Sequence, residues 1–203
     1  MTAWPFASPA WDAVTLWSLD LETGGLDPRR DPVLAVGLVP IRGGTIRLGE
    51  AWESLVRPPP GAVVRPESVS AHQLVRADLD AAPALAEVLP EVDHRIREGA
   101  LVVHVRAIDV AFLRAAYRSA GLRWPSPVVI DTVDLLAREA RRSGRAPPEL
   151  TEEPPLLHLP AARARLGLPE YPAHDALSDA LAAAELFLVL RARLAARTLR
   201  DLR

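Results

Sequence analysis

Residues 13–25 read AVTLWSLDLETGG, and the alternation within them decides the fold class. Successive side chains of a strand point to opposite faces, so Val14, Leu16, Ser18, Asp20 and Glu22 share one face. That face begins apolar and ends in two carboxylates, followed by Thr23-Gly24-Gly25 as a turn. Neighbouring carboxylates at a strand end suffer like-charge repulsion and desolvation, and a hard divalent cation with oxygen ligands relieves both. Taken alone, the pair is explained equally well by a strand running out into solvent.

Working outward, residues 33–41 (VLAVGLVPI) and 45–57 (TIRLGEAWESLVR) also read as strands. They are separated by the turn-rich GGLDPRRD and RGG, and links this short suit antiparallel neighbours. Pro58–Gly61 ends this region, and the period then changes. A helix is expected from about Pro83 to Glu98, then a short buried strand at 101–104 (LVVH). A helix from Asp109 to Ala120 is closed by Gly121, and residues 128–130 (VVI) form another strand. Asp131 caps a helix running to about Arg142. SGRAPPELTEEPP reads as a polar loop, followed by a small helix at 159–166 and a long one at 175–197. Three antiparallel strands followed by alternating strand and helix predict an α/β fold, a mixed sheet covered by helices. The expected organisation is a single domain over 12–197, with an N-terminal extension (1–11) and a basic C-terminal tail (198–203).

Composition narrows the function classes. A chain of 203 residues with 49% hydrophobic and 25% charged content buries a real core and is neither disordered nor membrane-spanning. The N-terminus lacks the basic start and apolar stretch of a secretory signal, which makes a cytoplasmic location the default expectation. There is no cysteine, so thiolate metal sites, disulfides and cysteine nucleophiles are excluded. All 24 basic residues are arginine, and asparagine is absent as well, the signature of GC-rich coding. A net charge of −2 does not advertise a nucleic-acid binder, but an acidic metal site subtracts locally from any basic rim around it. Arg191, Arg193, Arg197, Arg200 and Arg203 make the last helix and tail basic. They read as a phosphate-facing edge or, more plainly, as a solvated helix end in favourable dipole contact.

Three more residues carry chemistry. Asp109 stands just beyond the LVVH strand and is read either as a helix cap or as a group facing inward with Phe112, Leu113 and Ala116. Asp179 lies on one helical line with Ala183, Leu186 and Leu190. A carboxylate on an apolar line needs a partner, either an arginine or a metal. His174 follows Pro172, which places it in the loop entering the last helix, and an imidazole pKa near ~6.5 suits it to take a proton from water.

Taken together, Asp-x-Glu-Thr-Gly-Gly-Leu, then His-x-x-x-x-Asp-x-x-Phe-Leu, then His-x-Ala-x-x-Asp, in this order, closely resemble the DEDDh 3′–5′ exonuclease family. That family includes the proofreading, epsilon-type subunit of bacterial DNA polymerase III, ribonuclease T and oligoribonuclease. The resemblance covers nearly the whole chain. It extends to Pro66-Glu67 and Ala71-His72-Gln73-Leu74, which are similar to the family's nucleotide-contact loop, and to Ile130-Asp131-Thr132. It implies a ribonuclease H-like fold with a five-stranded sheet of order 3-2-1-4-5, flanked by helices. It implies two divalent cations, Mg2+ or Mn2+, held by Asp20, Glu22, Asp109 and Asp179, with His174 as general base. Thr23, Glu67, His72, His104 and Ile108 match positions beside the terminal nucleotide. The implied partners are single-stranded 3′ ends, DNA in preference to RNA, and a DNA polymerase or repair complex. No membrane is implied, and the oligomeric state is left open.

The second motif departs from the family pattern. Members usually read His-Asn, with an aromatic residue directly before the aspartate, whereas this chain has His104-Val105-Arg106-Ala107-Ile108-Asp109. Val105 cannot supply an amide's hydrogen bonds, and Ile108 offers no aromatic face for stacking. Arg106 either contacts phosphate or points to solvent. The alternative function is a catalytically weak nucleic-acid-binding or accessory module that keeps the metal site. His174-Asp175 also fits the dyad of an HD-type phosphohydrolase, but that fold is all-helical and this chain begins with strands. Gly24-Gly25 lacks the spacing and lysine of a phosphate-binding P-loop.

Overall fold

A computed structural model of the chain describes residues 8–66, 68, 74–144, 158–171 and 174–203. Thr15–Thr23 forms β1, and β2 (Val33–Arg42) lies antiparallel to it with Asp20 opposite Gly37 and Glu22 opposite Ala35. The register slips between Glu22 and Thr23, a bulge that ends regular pairing at the strand terminus. β2 is buried along nearly its whole length because its run of Val, Leu and Ile is covered on both faces. The segment expected as one strand at 45–57 is broken in two, β3 (Thr45–Ile46) and β4 (Trp52–Leu55), both antiparallel to β2. The interruption is a 3-10 turn at Leu48–Glu50, where Gly49 has no side chain to hold a strand in place. β5 (Gly99–Val103) is parallel to β1, and β6 (Val128–Asp131) is parallel to β5. The sheet therefore has six strands rather than five, in the order β3-β2-β1-β5-β6 with β4 also beside β2. Counting β3 and β4 as one strand restores the expected 3-2-1-4-5.

Among the described residues, six helices surround the sheet: α1 (Arg76–Ala81), α2 (Leu85–Arg97), α3 (Arg106–Ser119), α4 (Thr132–Arg142), α5 (Leu159–Arg165) and α6 (Ala176–Leu194). Of these only the short α1 escapes the sequence periodicity. The expected loop SGRAPPELTEEPP lies outside the described residues apart from Ser143 and Gly144. Helices on both faces give two cores. In one, Leu16, Val39, Val102 and Ile130 of the sheet meet Leu135 of α4, Ala162 of α5 and Leu186 of α6. In the other, Leu19, Leu101 and Val103 meet Val92 of α2 and Phe112 and Tyr117 of α3. The carboxylate-bearing face of β1 looks toward the α6 side.

Two departures bear on function. Helix α3 starts at Arg106, so Asp109 does not cap it but sits within its first turn, buried. Helix α6 ends at Leu194, where Ala195 takes a left-handed φ of 53°, and the chain turns back into a 3-10 segment, Leu199–Leu202. Leu199 and Leu202 are buried there. Arg191 lies 4.4 Å over the Trp11 ring, and Arg193 pairs with Glu139 at 3.3 Å. These two cations of the basic end thus serve packing. Among the described residues, no helix is long and apolar enough to cross a membrane.

Candidate active site

Glycine and alanine bring α6 down onto the sheet. Gly37 pairs with Asp20 across β1 and β2, and a Cβ there would stand 2.2 Å from the Ala176 carbonyl oxygen. Ala176, Ala180, Ala183 and Ala184 continue the close approach along the helix. Asp175 caps α6 by accepting a hydrogen bond from the Ser178 N–H at 2.9 Å, so the helix begins beside the strand end. Asp179, one turn further on, meets the two carboxylates of β1. Oxygens of Asp20, Glu22 and Asp179 lie within 4.8 Å of one another.

This convergence is electrostatically costly. Burial pushes the Asp20 carboxyl well above its usual range, and the charges of Asp109, Asp179 and Glu22 push it further. Glu22 is raised to about 7 by burial and by Asp179 and Asp175. Asp179 is raised by burial and partly relieved by the backbone N–H of His174, which donates to its Oδ2 at 2.8 Å. Among the described residues, no arginine forms an ion pair with any of these carboxylates. An all-oxygen donor set with unbalanced negative charge fits a hard divalent cation.

Asp109 arrives from the opposite face, on α3. It lies outside the three-carboxylate cluster, yet its charge is the foremost of those acting on Asp20. Burial raises its own carboxyl, while backbone amides, including that of Leu21, pull it back down. The turn that delivers it is unusual. Val105 holds φ 68° and ψ 69°, a left-handed conformation that costs a β-branched residue about 1–2 kcal/mol. Asp131 holds this turn. Its carboxylate accepts hydrogen bonds from the Val105 and Arg106 amides at 3.1 and 2.9 Å while also capping α4 through the Val133 N–H at 3.0 Å. The capping role was legible in the sequence; the clamp across to α3 was not, because nothing local signals it.

His174 also has positive φ, 68°, and stands exposed at the entrance to α6, as expected of a loop residue. A second histidine, His158 at the start of α5, lies with its ring 6.5 Å from that of His174, and its charge also draws Asp179 downward. The sequence reading did not single out His158; its only signal was its position directly before a helix. Thr23 fixes the turn after β1 by donating its hydroxyl to the Gly25 carbonyl at 2.7 Å, and Ser68 donates its hydroxyl to the Thr23 carbonyl. His104 is tied to α4, its Nδ1 2.7 Å from the Thr132 hydroxyl. The same hydroxyl lies 3.2 Å from the Val103 carbonyl, which links β5 to α4. Ile108 packs half-buried against the α2–α3 core. Glu67 and His72 lie outside the described residues.

Residues 18–187 match the family described as Exonuclease, and the chain belongs to that family. It is 35% identical over 191 residues to the DNA polymerase III subunit epsilon-like protein of Rhodobacter capsulatus, an alignment covering 93% of this chain and 25% of that protein. A DNA polymerase III of PolC type from Thermotoga maritima is 29% identical over 171 residues, covering 84% of this chain and 11% of the relative. The chain thus spans a quarter or less of the length of these relatives. Among solved structures, E. coli exonuclease I in complex with single-stranded DNA superposes with a TM-score of 0.75 at 18% identity, covering 89% of this chain and 41% of that one. Cell-death related nuclease 4 does so with a TM-score of 0.75 at 18% identity, covering 93% and 66%. These two likenesses establish the shared ribonuclease H-like fold.

Proposed function

We propose that this domain is a metal-dependent 3′–5′ exonuclease that releases nucleoside 5′-monophosphates from single-stranded DNA. The observation that carries this reading is the convergence of Asp20, Glu22 and Asp179 within 4.8 Å at the end of β1. These three would hold one divalent cation, and Asp20 together with Asp109 a second. Bound Mg2+ or Mn2+ would neutralise the scissile phosphate and acidify a water beside it.

The chain's own residues supply the rest. His174, exposed and anchored to Asp179 through its backbone N–H, takes a proton from the attacking water. The water oxygen bonds to phosphorus, the bond to the 3′ oxygen breaks, and that oxygen takes a proton from solvent as it leaves. Thr23, Glu67, His72, His104 and Ile108 would flank the terminal nucleotide, with Ile108 packing against it rather than stacking. The polymerase-type relatives favour a DNA polymerase or repair complex as the setting.

The test uses 3′-labelled and 5′-labelled DNA and RNA, single- and double-stranded, with Mg2+, Mn2+ or EDTA. Mononucleotides are expected from the 3′ end of DNA, only with metal. Asp20→Ala is expected to lower the rate about a thousandfold, several kcal/mol of charge stabilisation at 1.36 kcal/mol per decade, while staying folded. Attack from the 5′ end alone would refute the polarity. Binding without any mononucleotide release would leave an accessory module that merely keeps the carboxylates.

A further inference from the structure

Arginine is unevenly distributed over this surface. A groove of about 780 Å³ runs along the outer face of α3, between the loop after β1 and the β6 edge. Its lining includes Arg29, Arg106, Arg114, Arg118 and Arg203 and no aspartate or glutamate. That is a local excess of positive charge on a chain whose net charge is −2. On the helix, positions 106, 114 and 118 fall within about 120° of one another at ~100° per residue, so they form one face. Ala111 and Ala115 keep the floor low between them.

Most of these cations are not neutralised. Arg106 pairs with Asp134 at 3.1 Å, and both side chains are half exposed. Arg114 rests 5.9 Å from the Trp124 ring, which leaves its N–H groups available to an anion. Among the described residues, no carboxylate pairs with Arg29, Arg118 or Arg203. At one end of the groove Arg106 opens the helical turn that carries Asp109, three residues on. From there to Arg118 it leads away for about 18 Å at ~1.5 Å per residue.

We infer that this groove carries the phosphate backbone of the nucleic-acid strand upstream of the terminal nucleotide. The inference rests on the exonuclease reading of the neighbouring site. Charge complementarity selects a polyanion, and the helical turn that Arg106 shares with Asp109 favours the one whose 3′ end occupies the carboxylates. No aromatic side chain lines the groove, so its contacts go to phosphates and carry no base preference. It holds the strand independently of sequence while terminal nucleotides are removed.

The experiment compares the wild type with Arg29→Gln/Arg118→Gln in two arms. One arm measures equilibrium binding of fluorescein-labelled (dT)20 in EDTA across a salt series. The other measures KM for (dT)20 and for the dinucleotide (dT)2 with Mg2+. Each phosphate contact contributes about 0.7 to the slope of log affinity against log salt on a single strand. The double variant is therefore expected to lose about 1.4 from that slope and to bind (dT)20 at least tenfold more weakly. The KM advantage of (dT)20 over (dT)2 is expected to collapse toward one. A folded variant with unchanged slope and unchanged KM ratio would overturn the groove. Arginine-dependent binding by a wild type that hydrolyses neither substrate would instead overturn the nuclease reading and leave the groove standing.

Discussion

Two corners meet at the end of β1, and they are built by different means. At the Glu22–Asp179 corner the carboxylates stand on a strand and a helix, with a bulge only after Glu22, and proximity comes from side chains that are missing. Gly37 and the alanines of α6 let Asp179 descend onto the sheet. At the Asp109 corner the backbone itself is irregular. Val105 stands in a left-handed conformation, and the geometry is kept by hydrogen bonds from two amides to Asp131, which lies on another strand. One corner depends on empty volume and the other on a polar clamp, so they should fail differently.

The largest effect is expected from filling the volume. Gly37→Ala places a methyl group against the Ala176 carbonyl, and α6 must shift at its first turn. We expect at least a hundredfold loss of activity, the scale of a ~1 Å misplacement, with about 1–3 kcal/mol of destabilisation. Isothermal titration with Mn2+ should show weakened binding; wild-type affinity and rate would mean that this corner does not rest on Gly37.

Next comes the clamp. Asp131→Ala leaves the Val105 and Arg106 amides without their acceptor and uncaps α4, a loss of about 2 kcal/mol or more. Thermal unfolding should fall by about 4–8 °C, at ~2–4 °C per kcal/mol for a chain of this size. A denaturation curve matching the wild type would remove Asp131 from its proposed role.

Protonation probes the Glu22 corner with a smaller effect. Glu22 is raised from 4.5 to about 7 in the folded protein, so between those values the folded state binds more protons than the unfolded one. Stability of the metal-free protein therefore declines as pH rises from about 4.5 to 7, and the contribution is fully lost above that. A cation competes with those protons, so the rise in Tm caused by Mg2+ should be larger at pH 8 than at pH 6. An equal rise at both would show that Glu22 does not meet the ion.

The smallest effect is a gain. Val105→Asn puts at the left-handed position a residue that tolerates it, with about 1 kcal/mol of relief and a Tm higher by about 2–4 °C. An unchanged Tm would mean that the turn is not strained.

The sequence made the regular corner readable and left the irregular one obscure, for physical reasons. Alternation in AVTLWSLDLE places Asp20 and Glu22 on one face, and helical spacing places Asp179 on an apolar line. Each depends on residues within a few positions. The burial of Asp109 beside Phe112 and Leu113 was legible, but its setting was not. The start of α3 is fixed by Val105, a residue whose intrinsic preference is extended backbone, and by a carboxylate 25 residues away. The break in the third strand at Gly49 was masked by apolar residues on either side of it. The packing of Leu199 and Leu202 was hidden by the arginines between and after them, which read as a solvated tail. His158 lacked a periodic context of any kind.

Gly37 also bears on how this sequence can drift. The chain is rich in alanine, and every glycine codon lies one base from an alanine codon, so Gly-to-Ala is a single-base change. At Gly49 an added Cβ meets nothing within 4 Å. At position 37 the same change collides with the helix that bears Asp179. A substitution that Gly49 has room for therefore meets a closed door opposite Asp20, and a saturation library scored for nuclease activity should return glycine alone there.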